Sequence, residues 1–234
     1  MTDRRGIVLF GDVADSRVEA ARATAWLRML SRDLDRHYAE KRLAPFGFTQ
    51  GDEIQGLLTV TADPTAAVLR AALHPHAMPM RWIIVAGRIE AGRGPATQRT
   101  GPAFLEARAL VADAKKRRQD LLLRSGDAAT DELLDDVAPA LAALLEGLTG
   151  RQRTIAQLIL VDGMRQSDAA QLLGVSRPTV SVAVERARIR EIGGLAHAIR
   201  RLLAAGVAAA AGVAVRATAS RAVAATNGST GKGT

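Results

Sequence analysis

The 234-residue chain contains no cysteine, and its longest uninterrupted apolar run has only 14 residues. The absence of cysteine excludes disulfides, thiolate metal sites and cysteine nucleophiles, and it fits a reducing compartment. The longest apolar run, 202–215, is mostly Ala and Gly and falls short of the about 20 residues that span a membrane. The apolar run before Asp12 is too short for a signal peptide, and the acidic Asp12 follows it directly. We therefore expect a soluble, cytoplasmic protein without membrane contact.

Acidic residues are scarce in the C-terminal part of the chain. Residues 140–234 contain 12 Lys and Arg against 5 Asp and Glu, whereas residues 1–139 contain 20 against 19. Most of the net charge of +8 therefore lies in the C-terminal part. This asymmetry indicates that the C-terminal part contacts a polyanion, for which nucleic acid is the default.

The N-terminal half alternates between apolar strand patterns and helical patterns. The order is strand, helix, hairpin, helix, strand and helix, with these elements at residues 6–12, 15–42, 44–60, 63–73, 80–89 and 102–125. Asp15 or Ser16 is the expected N-cap of the first helix. A lone hairpin between two helices, flanked by buried strands, predicts an α+β, ferredoxin-like domain.

A helix-turn-helix pattern occupies residues 166–185, QSDAAQLLGVSRPTVSVAVE. Ala170 is small where the two helices cross, and Gly174 supplies the turn. Ser176 caps the second helix, and a supporting helix capped by Thr149 precedes the pair. The C-terminal part is therefore predicted to be all-α.

The region 146–190 resembles the helix-turn-helix of sigma-factor region four and of many repressors. With the basic excess, this favours binding to double-stranded DNA through the second helix in the major groove. Arg177 is the candidate for a guanine contact, because its guanidinium matches two acceptors. The full set of candidate DNA-binding residues is Gln166, Ser176, Arg177, Thr179, Ser181, Val182, Glu185, Arg186 and Arg188. The alternative is a helical hairpin used only for dimerisation.

A homodimer is expected because a single recognition helix reads only a few base pairs. The available apolar seams are a connecting helix at 131–147, which Pro139 could break, and the Ala-rich helix after residue 200. The final residues, 216–234, are low in complexity and are expected to be disordered.

Two adjacent acids, Asp52 and Glu53, interrupt the hairpin in FTQGDEIQGLL, residues 48–58. In the predicted sheet the first strand is a neighbour of this hairpin, so Asp12 at its end would lie beside them. Oxygen ligands favour Mg²⁺ or Mn²⁺, which makes the three acids candidate metal ligands. Ordinary turn acids are the alternative. Amides and a guanidinium for nucleotide phosphates would come from Asp15, Ser16 and Arg17.

Three segments in order, GDVADSR, FTQGDEIQGLL and TGPAFLEARAL, resemble the SatD family. The N-terminal half of that family is similar to the palm domain of class III nucleotide cyclases and GGDEF diguanylate cyclases. The resemblance implies metal binding at Asp12 and the hairpin acids, and it places Arg108 in the nucleotide-binding segment. Class III cyclases have an Asn four residues before this Arg, where it orients the ribose, but here the position is Phe104. The resemblance therefore supports nucleotide or metal binding better than cyclisation.

Two functions follow from these patterns. The first is a DNA-binding transcriptional regulator whose N-terminal domain senses a nucleotide or a divalent metal. The second is an active nucleotidyl cyclase or nucleotidyltransferase with an accessory helix-turn-helix. The expected organisation is a palm-like domain, a connecting helix, the helix-turn-helix domain and an Ala-rich tail, at residues 1–125, 126–147, 148–200 and 201–234.

Overall fold

The computed structural model describes residues 4–14, 19–49 and 52–228, with the side chains of the last helix described as far as Val213. The strands are β1 Arg5–Val13, β2 Arg42–Phe48, β3 Glu53–Leu58, β4 Met80–Arg88 and β5 Leu121–Arg124. The helices are α1 Ala20–His37, α2 Thr65–Leu73, α3 Pro102–Arg117, α4 Ala128–Glu146, α5 Gly150–Ala156, α6 Gln166–Leu172, α7 Arg177–Arg186 and α8 Ile189–Gly228. A π-helical turn, Gln157–Val161, continues α5.

The five strands form one sheet in the order β2-β3-β1-β4-β5. The central strand β1 is antiparallel to both β3 and β4, and β5 is parallel to β4. The first four strands have the ferredoxin-like order that the βαββαβ pattern predicts, and β5 extends it at one edge. The predicted fold class, an α+β N-terminal part followed by an all-helical part, is confirmed.

Each face of the sheet packs against helices. One face contributes Leu9 and Ile84 to a large hydrophobic core that continues through α1, α2 and α4 into the C-terminal helices, where Val180 and Ile199 belong to it. The other face is covered by α3. The sheet and the C-terminal helices are therefore joined by one continuous core.

Helix α3 ends earlier than its sequence predicts. Arg118 has a left-handed backbone with φ of 55°, and its N–H closes the last turn of the helix. The next apolar residues, Leu121–Arg124, form β5 at the sheet edge. The prediction of one helix through residue 125 is wrong, because a four-residue apolar run after a helix is compatible with either structure. At the other end of the domain, α1 begins at Ala20, and the expected caps Asp15 and Ser16 lie outside the described residues.

Helices α4 and α8 pack against each other within the chain. Helix α4 is continuous through Pro139, and its inner face buries Leu134 and Leu141 in the core that α8 also enters. The backbone of α8 is helical to Gly228, so the prediction of a disordered 216–234 is wrong as far as that residue. The two seams assigned to a dimer therefore cover each other.

One described stretch, Ile189–Val213, is long and apolar enough to cross a membrane by length and composition, with a hydropathy of 1.2. This is weak support for a membrane span, since core helices of soluble proteins meet the same criteria. Ile192, Ile199 and Leu203 on this stretch are buried in the shared core.

Candidate nucleic-acid interface and sheet-edge acids

The helix-turn-helix is held by caps and turns that the sequence predicts. Helix α5 opens with a capping box in which the Thr149 hydroxyl accepts from the Gln152 N–H and the Gln152 side chain accepts from the Thr149 N–H. Gly163 and Gly174 have φ of 67° and 63°, the left-handed values that glycine adopts without strain. Ala170 is buried where α6 crosses α7. The predicted helix-turn-helix is confirmed.

Helix α7 has one buried and one exposed side. Val180 and Val184 are buried, and Ala183 is half-buried. Ser176 is the N-cap, and its hydroxyl accepts from the Thr179 N–H at 3.3 Å. The two hydroxyls are also hydrogen-bonded to each other at 2.8 Å. These contacts fix the N-terminal end of α7, the end that would be nearest the base edges in a major groove.

The other side of α7 presents the predicted DNA-contact residues to solvent. They form two adjoining stripes at helical spacing, Arg177, Ser181 and Glu185 on one and Thr179, Val182 and Arg186 on the other. Val182 is 46% exposed, which makes its methyl groups accessible to a thymine methyl. The face thus combines two guanidinium groups, two hydroxyls, one carboxylate and an apolar group.

Two candidate residues lie outside this face. Gln166 is the first residue of α6 and is half-buried. Arg188 follows the end of α7, where its φ is 52°, and its Nε is 3.4 Å from Glu191 Oε1. Arg188 is exposed, so it stays a candidate for phosphate, but from the turn before α8 rather than from the recognition helix.

Three exposed arginines near the motif were not among the predicted residues. Arg151 is in the first turn of α5, Arg165 is the N-cap residue of α6, and Arg190 is in the first turn of α8. Helix starts and turns are where side chains reach phosphates beside a groove. The sequence signal that could have identified them is an arginine beside the start of each of these helices.

The topology brings β1 beside the hairpin, as predicted. Asp12 is directly opposite Glu53 in the β1–β3 ladder, and the Asp52 carbonyl accepts from the Val13 N–H at 2.8 Å. Cα atoms of such cross-strand partners are about 4.5–5.5 Å apart. The structure therefore places Asp12 and Glu53 at paired positions of β1 and β3, with Asp52 immediately before β3.

Asp12 is already paired with cations. Its side chain is only 8% exposed, and Lys115 Nζ is 3.1 Å from Oδ1 and 3.0 Å from Oδ2. Arg81 Nη1 is 3.6 Å from Oδ2. The third acid, Glu53, accepts from Gln55 Nε2 at 2.6 Å. In this arrangement the contacts fit a carboxylate neutralised by side-chain cations better than a divalent ion, and within the described ranges no group of three acids or histidines is placed to hold a metal.

The nucleotide-binding candidates are only partly described. Asp15, Ser16 and Arg17 lie outside the described residues. Arg108 is exposed on α3, two turns before Lys115 on the same face of the helix. Phe104, at the position of the cyclase Asn, is 4% exposed, and its ring centroid is 6.2 Å from that of Phe10. That position belongs to the core below α3.

Comparisons with known proteins bear mainly on the C-terminal part. Residues 139–190 match the family model described as Sigma-70, region 4, which covers less than a quarter of the chain. No curated protein matches the chain.

Two solved structures share partial likeness. A bacterial light-regulated adenylyl cyclase is 16% identical with a TM-score of 0.37, covering 51% of this chain and 74% of its own. A regulator of polyketide synthase expression from Bifidobacterium adolescentis is 16% identical with a TM-score of 0.25, covering 86% and 82%. Both TM-scores are below 0.5, so these likenesses support no statement about function.

Proposed function

We propose that the protein is a DNA-binding transcription regulator of the cytoplasm that inserts α7 into the major groove of double-stranded DNA. The main support is the exposed face of α7. The N-terminal end of this helix is fixed by the Ser176 cap, and the helix follows the turn at Gly174 at the spacing of a helix-turn-helix. The Sigma-70, region 4 match over the same helices is independent support. The basic excess of residues 140–234 supplies attraction to phosphate.

The finer proposal gives the N-terminal domain a sensing role. Its support is the pairing of Asp12 with Glu53 at one sheet edge and the resemblance to cyclase palm domains. A nucleotide or a Mg²⁺ or Mn²⁺ ion would have to compete with Lys115 for Asp12. The alternative, an active cyclase or nucleotidyltransferase, has less support because Phe104 is a core residue that cannot orient a ribose.

The test of DNA binding is selection of bound fragments from a genomic library by the full-length protein at low salt. We expect enrichment of specific fragments, and we expect affinity to fall steeply with salt because arginine contacts release counterions from DNA. Protein that enriches no fragment under these conditions contradicts the proposal.

The sharper prediction concerns Arg177. On a selected fragment, Arg177→Ala should weaken binding by about 1–3 kcal/mol and relax the preference at one base pair, because a bidentate guanine contact is lost. Arg93→Ala removes the same charge from an exposed loop after β4 and is the matched control. Fluorescence anisotropy on the selected site and on single-base variants measures both effects. Equal losses in the two variants would show that Arg177 contributes only charge.

A further inference from the structure

A cavity of about 420 Å³ lies where the sheet, α2 and the corner between α4 and α5 meet. We call it the junction cavity. Its apolar walls include Val68 of α2, Met78, Met80 and Trp82 at the start of β4, Leu121 of β5 and Leu145 of α4. Its volume falls within the range of about 300–1,000 Å³ that is typical of small-molecule sites. Among the residues that the structure describes, none of the predicted metal, nucleotide or DNA residues lines it.

The polar groups that line the junction cavity differ in whether they have a partner within the protein. Asp120 has a cation partner, since Arg81 Nη2 is 3.4 Å from its Oδ1. Glu146 is exposed at the C-terminal end of α4. Among the described residues that line the cavity, Arg153 is the only cation, and its Nε is buried without a hydrogen-bond partner in that part of the chain. Because this Nε has almost no accessible surface, a ligand in the cavity would meet the guanidinium at its terminal nitrogens, whose paired N–H groups match a carboxylate.

We propose that the junction cavity binds a small organic monocarboxylate with an apolar body. The carboxylate pairs with the guanidinium of Arg153, for which two-pronged hydrogen bonding is the favoured geometry. The apolar body packs against Trp82, Met78 and Leu145. A single negative charge is required because the carboxylates of Asp120 and Glu146 line the same cavity and repel a more highly charged ligand.

The position of Arg153 connects this site to the helix-turn-helix. Arg153 is on α5, the supporting helix of the motif, whereas Trp82 and Leu121 belong to the sheet. A ligand held between them fixes α5 relative to the sheet. Control of DNA affinity by the ligand rests on the proposed function, but binding of the ligand does not.

Trp82 provides a direct reporter of binding. The chain has two tryptophans, so Trp26→Phe leaves Trp82 as the only one. The full-length Trp26→Phe protein is titrated with octanoate and with 4-phenylbutyrate, and in parallel with their neutral amides. We expect a saturable change in Trp82 fluorescence with the carboxylates and at least tenfold weaker binding of the amides.

Arg153→Met in the same background tests the charge while retaining the bulk of the side chain. It should remove the advantage of carboxylate over amide, whereas Arg151→Met, an exposed arginine of the same helix, should leave it unchanged. Ala142→Phe should fill the cavity and abolish binding of both ligand types in protein whose circular dichroism is unchanged. Equal affinity for carboxylate and amide, the same affinity in Arg153→Met, or no saturable change with either acid overturns the proposal.

DNA binding is then measured with and without octanoate. A ligand-dependent change in affinity that Arg153→Met removes supports regulation through the junction cavity. If the ligand binds but DNA affinity does not change, the binding site is confirmed and its regulatory role is overturned. Protein that binds the acids but no DNA at all contradicts the proposed function and not the site.

Discussion

Asp12 stands at the position predicted for a metal ligand, but in the structure it is paired with side-chain cations. Its place on β1, opposite Glu53, is the place that the cyclase-like pattern predicts for a metal ligand. Its contacts, however, are with Lys115 from α3 and Arg81 from β4, two residues far from it in sequence. A carboxylate this buried must be paired, and side-chain cations do so here.

This pairing makes the metal prediction testable by competition. If Mg²⁺ or Mn²⁺ binds Asp12, Asp52 and Glu53, either ion should raise the melting temperature, and Asp52→Asn should abolish the rise. Lys115→Met should enlarge it, because the ion then replaces the missing cation beside Asp12. Differential scanning fluorimetry with and without 5–10 mM ion, about the concentration needed for weak sites, measures the shift.

Lys116→Met is the matched control, since Lys116 is the next residue of α3 and is exposed. It should leave the metal response unchanged. A Lys115→Met protein that shows no rise with either ion would contradict the metal hypothesis and leave Asp12 a structural ion-pair partner.

The environment of His74 predicts how the stability of the protein changes with pH. Burial, and next the neighbouring His76, lower the pKa of His74, whose ring centroid is 5.1 Å from that of Trp26. The folded protein therefore binds this proton less readily than the unfolded chain. Stability should fall as the pH drops through the unfolded value of 6.5 towards the lower folded pKa.

Melting temperatures between pH 7.5 and pH 5, a range of about 1–1.5 units on each side of the ordinary histidine pKa, measure this effect. His74→Gln should flatten the decline, and His197→Gln, which replaces an exposed histidine of α8, should not. The same slope in the wild-type and His74→Gln proteins would contradict the assignment.

At the scale of elements, α8 approaches the turn between β5 and α4 very closely at Gly206. A Cβ at this position would be 2.9 Å from Thr130 Cβ and in closer conflict with the Ser125 side chain. Ser125 is fully buried, and its hydroxyl donates to Asp131 Oδ1 at 2.7 Å, so it cannot move aside easily. The glycine therefore sets the distance between α8 and α4.

Two glycines of the same helix give a paired prediction. Gly206→Ala should destabilise the protein by about 1–3 kcal/mol through overpacking. Gly194→Ala, with no atom within 4 Å of the added methyl group, should stabilise it by about 0.5–1 kcal/mol, because alanine is the better helix former. Urea denaturation of both variants measures the difference. Stabilisation by both substitutions would show that the close approach at Gly206 is absent.

Elements with strong local signals could be predicted from the sequence, and those defined by tertiary pairing could not. The helix-turn-helix has caps and turn glycines at fixed spacing, and the order of the first four strands follows from the βαββαβ pattern. Strand β5 is four residues long and is identified only by its pairing with β4. Likewise, the partners Lys115 and Arg153 belong to segments whose proximity to Asp12 and Trp82 arises only on folding.

At the scale of the whole molecule, the packing of α4 against α8 limits the apolar surface that is left for a dimer. The apolar faces of α4 and α8 are buried against each other in the chain, which leaves exposed apolar residues such as Leu133 and Val213 for a partner. We still expect a dimer, because two recognition helices about one DNA turn apart give workable specificity. Light scattering, with and without a selected DNA site, should give twice the chain mass of 24.7 kDa. A single chain mass in both conditions would contradict this prediction.

Helix α8 begins three residues after the recognition helix ends and is anchored to the sheet edge at Gly206. The intervening length is about 26 Å at 1.5 Å per residue. Such a rod acts as a lever with its pivot at Gly206. A rotation of about 10° at the pivot displaces the start of α8 by about 4–5 Å, close to the rise of one helical turn. If this segment turned as a rigid body about Gly206, a small change in packing at the β5–α4 turn would be amplified into a displacement of α7 relative to the base edges it would read, and the burial of Ile192, Ile199 and Leu203 in the shared core would oppose that turn.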